Sequence, residues 1–334
     1  MFCKPFWTSI LLFACNWVHT QAEPIRVLDV DFPDPCLIQA DDQYCAFATN
    51  GNGVNIQVAS SADFISWQLL AGHDALPGPF PSWVGSSPAV WAPDVIQRGD
   101  GKFVMYFAAT AAADTSKHCV GVAISASVTG PYIPESQPLA CPLQQGGAID
   151  PDGFYDQGTF HVVYKSDGNS LDGDGTLHPT PLMLQALESD AITPIGSPIQ
   201  LLDRSNTDGP LIEAPSLAKH SGIYYLTFSS NMYDTTLYDV SYAVASNLAG
   251  PYTKVQAPNA PLLVSGNGSD VGPLSGPGGS DFSVDGTKIV FHAFENGQNI
   301  DNGRAMYVSR AQLSQGVIHL ARETYTGRHS YSKL

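Results

Sequence analysis

The chain has 334 residues, a formal net charge of −16 and only 14 % charged side chains, with 31 glycines and 25 prolines. So acidic a surface repels polyanions, which argues against nucleic acid and anionic membrane as partners and suits a neutral substrate. Glycine and proline interrupt nearly every window of helix length, which points to short strands joined by tight turns.

Residues 1–22 read as a secretory signal peptide. Lys4 supplies the positive start, an apolar run extends from Phe6 to Val18, and Thr20 and Ala22 fit the small-residue positions of a cleavage site. The apolar run is too short and too interrupted to span a bilayer. The expected product is secreted and extracellular, one domain over residues 23–334. Four cysteines lie in it: Cys36, Cys45, Cys119 and Cys141. In an oxidising compartment they allow three pairings. The favoured one is Cys36–Cys45 with Cys119–Cys141, because each pair brackets a local strand pair. Their spacing matches no zinc pattern. Asn267-Gly268-Ser269 is a glycosylation sequon in a glycine-rich loop.

A turn followed by a strand of aromatic and β-branched residues recurs five times along the chain. The copies begin at Asp42, Asp100, Gln157, Ser221 and Asp285, spaced 58, 57, 64 and 64 residues apart. A second strand-and-turn element follows several copies, as in Gly121–Ser125 before Gly130-Pro131-Tyr132, and Ser241–Ala245 before Gly250-Pro251-Tyr252. Each repeat then holds about four strands, the content of a propeller blade. A blade cannot bury both faces alone, so the expected fold is all-β, a five-bladed β-propeller. A pair of β-sandwich domains is the rival, but it has no need of five equal repeats.

An acid lies near the start of the strand that precedes each copy: Asp34, Asp94, Asp150, Glu213 and Asp281. First strands line the axis of a propeller, so acids far apart in sequence meet at one end. Converging carboxylates lose hydration and repel, which splits their proton affinities. Glycoside hydrolysis needs that split, one group ionised and one protonated. Asp-Pro is also a common turn element. Asp94 and Asp281 are therefore assigned to structure, and Asp152 and Asp156 to the turn after Asp150. Asp34, Asp150 and Glu213 remain as the catalytic set.

The chain resembles glycoside hydrolase family 43 over nearly its whole length beyond the signal. The carriers are Asp34 in Asp-Phe-Pro-Asp-Pro, Trp91 in Trp-Ala-Pro-Asp, Asp150 in Ile-Asp-Pro and Glu213 in Ile-Glu-Ala-Pro-Ser. The resemblance implies an inverting mechanism with Asp34 as general base, Glu213 as general acid and Asp150 orienting Glu213 and keeping it protonated. An inverting pair stands roughly 6.5–9.5 Å apart. It also implies that His292 lies near the axis, beside an ion or water, and that Arg304 contacts the sugar. Phe32 and Trp91 are expected as apolar walls against the sugar ring. No cofactor is required on this reading, although calcium or another ion at the axis is compatible with it. One departure bears on the ion: many members carry a histidine where this chain reads Gly278-Gly279-Ser280-Asp281.

The favoured activity is an exo-acting α-L-arabinofuranosidase on plant cell-wall arabinan or arabinoxylan, with the chain a monomer. A β-xylosidase acting on xylan fragments and an endo-arabinanase keep the same three acids. The fructan-cleaving propellers need an Asn-Asp-Pro-type nucleophile motif and a Glu-Cys motif, which this chain lacks. A non-catalytic sugar-binding propeller is the alternative from another class.

Overall fold

A computed structural model describes residues 23–295, 297 and 299–321; the expected signal peptide lies outside them. The chain forms five antiparallel sheets around an axis, the five-bladed β-propeller. Blade I consists of Cys36–Ala40, Gln43–Ala48, Gln57–Ser61 and Trp67–Leu69. Blade II is Trp91–Gln97, Phe103–Ala111, Asp114–Ser125 and Ile133–Pro134, and blade III is Ala148–Asp156, Thr159–Ser166, Leu182–Leu187 and Pro194–Leu202. Blade IV is Ile212–His220, Ile223–Ser230, Asp239–Ala245 and Thr253–Lys254. In blade V the strands Gly278–Phe282, Lys288–Phe294 and Arg304–Ser314 are completed by the N-terminal strand Ile25–Leu28, which closes the ring. Val317–Ala321 pairs with the remainder of the same outer edge.

The five recurrent sequence copies are the second strands. Their residues alternate between the two neighbouring interfaces, as strand geometry requires. In blade II, Phe103, Met105 and Phe107 pack with Phe47 and Ile38 of blade I, while Val104 and Tyr106 pack with Phe160 and Val162 of blade III. The apolar core thus lies between blades and leaves the axis to polar groups.

Each first strand starts with a kink at positive φ: Asp34 (52°), Ala92 (40°), Asp150 (53°), Ala214 (48°) and Gly279 (55°). Aspartate and glycine tolerate this region well, whereas the alanines carry strain there. Four of the five precede proline, and in blades II to V the pairing register shifts across the kink. These are β-bulges, which re-aim side chains at the mouth of the axis.

Two residues beyond each kink, the side chain accepts a hydrogen bond from a backbone N–H of the next blade. Val95 donates to Cys36, Gly153 to Asp94 (2.7 Å), Leu217 to Asp152 (3.0 Å), Phe282 to Ser216 (3.2 Å) and Leu37 to Asp281 (2.7 Å). A closed girdle of five bonds staples the blades together. Asp94 and Asp281 are structural, as expected, but Asp152 serves this girdle rather than a local turn. Asp156 likewise reaches blade IV, accepting from Lys219 and Tyr224 (both 2.6 Å).

The Cys119–Cys141 bridge is present, with Cα atoms 4.6 Å apart. The expected Cys36–Cys45 bridge is not: both are buried free thiols. The register explains the correction. Cys36 lies opposite Phe47, and Cys45 opposite Ile38. The two cysteines are diagonal neighbours, about 7–8 Å apart, beyond the reach of a disulfide. Replacing Cys119 and Cys141 by serine is expected to lower the unfolding free energy by about 3 kcal/mol, measurable by denaturant titration. Thiol labelling of the native chain from residue 23 should find no reactive cysteine, and labelling after unfolding should find Cys36 and Cys45.

Candidate active site

Asp34 sits on the blade I kink at the end of the axis where all first strands begin. Its Oδ2 accepts from the Thr49 hydroxyl (2.7 Å) and its Oδ1 faces the Arg304 guanidinium (3.5 Å). Burial opposes charge on Asp34, but Arg304 chiefly, with the Thr49 hydrogen bond, outweighs it and holds the carboxyl below its usual range. Asp34 therefore stays ionised. Thr49 also accepts the Ala92 N–H (2.9 Å), tying blade I to blade II at this level.

Asp150 occupies the same kink in blade III, and its Oδ2 accepts the Ala214 N–H (2.9 Å). Burial first, and the neighbouring Glu213 second, push its proton affinity well up, against the pull of Lys165. Glu213 lies one residue before the blade IV kink, so it is not the strict positional equivalent of the other two. It is 8 % exposed, its Oε2 accepting from Lys165 Nζ (2.9 Å) and its Oε1 from the Tyr238 hydroxyl (2.9 Å). Lys165 is fully buried and also pairs with Asp167 (2.8 Å).

His292 is fully buried and accepts the Asp34 N–H at Nδ1 (3.0 Å). Burial, aided by Arg304, pushes it down to about 3, so the ring is neutral. With Nδ1 accepting, Nε2 carries the proton and offers a donor rather than a metal lone pair. Arg304 packs over the Tyr233 ring, 5.3 Å from its centroid. Trp91 is 36 % exposed and stacked on His118, with ring centres 3.6 Å apart, on the position one before the kink that Glu213 holds in blade IV. Phe32 is a correction: it is fully buried with Leu28, Ala46, Ala48 and Met306, so it forms core rather than a sugar-facing wall. Asn267 lies away from these groups, in the turn before the small hairpin of Gly268–Ser269 and Gly272–Pro273, where its Oδ1 accepts the Val264 N–H (2.8 Å).

Thr49, Lys165, Asp167 and Tyr238 escaped the sequence reading. Lys165 lies in a second strand, where a lysine ordinarily signals a solvated face, and only the packing of blade III against blade IV brings it against Glu213.

Three carboxyl groups meeting at one end of a propeller axis, Asp34 held below its usual range, Asp150 pushed well above it and Glu213 set between two donors, form the framework of a glycosidase. The family model described as Glycosyl hydrolases family 43 matches residues 24–318, and the chain belongs to that family. It is 26 % identical over 281 residues to the extracellular endo-alpha-(1->5)-L-arabinanase 1 of Bacillus subtilis, covering 80 % of this chain and 81 % of that protein. It is also 26 % identical to the extracellular exo-alpha-(1->5)-L-arabinofuranosidase ArbA of Cellvibrio japonicus, covering 88 % and 86 %. Among solved structures, a thermostable family-43 glycoside hydrolase superposes with a TM-score of 0.72 at 24 % identity, covering 92 % of this chain and 98 % of its own, which shows the shared fold.

Proposed function

We propose that this glycoside hydrolase releases arabinose from arabinan or from the arabinose side chains of plant polysaccharides, by inversion. The observation that carries the reading is the opposite treatment of the carboxyl groups. Asp34 is held ionised by Arg304 and Thr49, while burial and the adjacent Glu213 push the proton affinity of Asp150 well up. Asp34 takes a proton from water as that water attacks the anomeric carbon. The anomeric C–O bond breaks with its electron pair going to the leaving oxygen, which receives the Glu213 proton. The adjacent buried carboxyls of Asp150 and Glu213 resist carrying two negative charges at once, which leaves one proton in the pair for that step. The names of similar extracellular enzymes support secretion and an arabinose-containing substrate. Exo cleavage is preferred, since the exposed Tyr233 ring lies under Arg304, which faces Asp34, and so stands beside the proposed base. The likeness to endo-arabinanases makes internal cleavage the second reading.

Product analysis on debranched arabinan, arabinoxylan and xylo-oligosaccharides tests this, with NMR of the first-formed anomer. Arabinose alone, released with inversion and lost in Asp34→Asn, supports the reading. Arabino-oligosaccharides move it to the endo reading, and xylose or no product overturns it.

An ion at the axis is a separate proposal. The girdle carboxylates Asp94, Asp152 and Asp281 are buried, with oxygens within 4.8 Å of one another. Among the described residues no protein cation pairs with them, and the buried Ser280 hydroxyl of the same small cavity, about 40 Å³, has no partner. Burial pushes all three carboxyls up, and neighbouring carboxylates add to this at Asp94 and Asp152. Buried like charges need protons or a cation, and an all-oxygen set suits a hard divalent ion such as calcium. Calcium at a hundredfold excess over its dissociation constant should add about 2.7 kcal/mol of stability. Thermal unfolding with calcium and with chelator measures this. Asp281→Asn keeps the Leu37 hydrogen bond and should lose the gain.

A further inference from the structure

Lys165 is the one cation in contact with Glu213 among the described residues, and Asp167 is in contact with Lys165. Lys165, Asp167 and Glu213 are 0 %, 4 % and 8 % exposed, so solvent screens this chain of charges little. The lysine backbone is held on both sides, opposite Ile149 in the first strand and Leu182 in the third, and its ammonium is fixed accordingly. We propose that Lys165 and Asp167 are a positioning pair for Glu213: Lys165 fixes which oxygen carries the acid's proton and receives the carboxylate once that proton leaves, and Asp167 keeps the resting acid protonatable.

An ammonium has three donors and no acceptor. Glu213 Oε2, facing it at 2.9 Å, is thereby held as an acceptor. The transferable proton must sit on Oε1. Oε1 faces the Tyr238 hydroxyl, a group able to donate or accept. When the proton passes to the leaving oxygen, negative charge develops against a fixed, buried ammonium, an interaction stronger in the transition state than before it. A lysine alone would also strip the proton from the resting acid. Asp167 offsets this by neutralising the ammonium from its other side, and Asp150 by opposing a second negative charge. The groups around Glu213 are then Lys165, Tyr238 and Asp150 directly, Asp167 through the lysine, and Asp34 across the axis.

The inference rests on Glu213 being the general acid. Its test is the pH profile of kcat/KM for the wild type, Lys165→Met, Asp167→Asn and the double variant. Loss of an adjacent opposite charge moves a titration by about one to three units. Lys165→Met should shift the basic limb up, Asp167→Asn should shift it down, and the double variant should return close to the wild-type position, with kcat reduced wherever the lysine is missing. A purely structural pair would lower activity and leave the limb in place, which would overturn the inference, as would shifts of both single variants in the same direction. If Lys165→Met does not fold, Asp167→Asn and the charge-balanced double variant still decide the matter. The carbon-13 titration of Glu213 follows the same shifts without turnover. A wild type inactive on every arabinose-containing glycan would therefore count against the proposed activity, and an unmoved Glu213 titration against this pair.

Discussion

Asp34→Asn should lower kcat/KM by about 10²- to 10⁴-fold, the contribution of a positioned general base, while leaving the fold intact. Asparagine is chosen over alanine because position 34 has φ 52°, a conformation that asparagine and aspartate tolerate and alanine does not. The Asn oxygen can still accept from Thr49, so the tie from blade I to blade II survives. What disappears is the negative charge that Arg304 holds in place. The loss should be similar for substrates with good and poor leaving groups, because water activation is required for both. Azide, a nucleophile that needs no deprotonation, should restore turnover and give a glycosyl azide of inverted configuration. Liquid chromatography with NMR of the product measures both effects. Unchanged activity in Asp34→Asn would remove Asp34 from the mechanism.

The fold was legible because its signal repeats. Five second strands, each with apolar residues on both faces and a turn before it, specify five blades whatever the details of each. Asp34 and Asp150 were legible because Asp-Pro at a positive-φ kink is written locally. Glu213 was found from the same pattern, although the structure sets it one residue before the kink. The misses share a physical cause, dependence on register or on contacts between blades. Whether Cys36 meets Cys45 is decided by a two-residue offset across a hairpin that sequence proximity does not reveal. Asp152 looks like a turn former until Leu217 of the next blade is seen donating to it. Lys165 meets Glu213 across 48 positions of sequence. Phe32, next to a catalytic motif, faces inward because Arg304 accepts its backbone N–H (2.9 Å) and Met306 covers it.

Glu213→Gln should separate the two catalytic roles by leaving group. On arabinan, whose leaving oxygen is a poor one, loss of the acid should cost about 10²- to 10⁴-fold in kcat. On a 4-nitrophenyl arabinofuranoside the departing phenolate needs little protonation, so the variant should retain most of its activity. Glutamine can keep the packing: its oxygen accepts from Lys165 and its amide donates to the Tyr238 oxygen, replacing the two contacts of the native carboxylate. The difference between substrates therefore reports proton donation rather than disorder in the site. Asp34→Asn shows no such difference, and the contrast between the two variants assigns base and acid without reference to absolute rates. Equal losses of Glu213→Gln on both substrates would mean that Glu213 holds the sugar or its neighbours in place. The donor would then have to be sought in Asp150, whose proton affinity burial and the adjacent Glu213 push well up. That outcome would also remove the premise for Lys165, since an ammonium stabilises a developing carboxylate only if the carboxyl beside it loses a proton in the reaction.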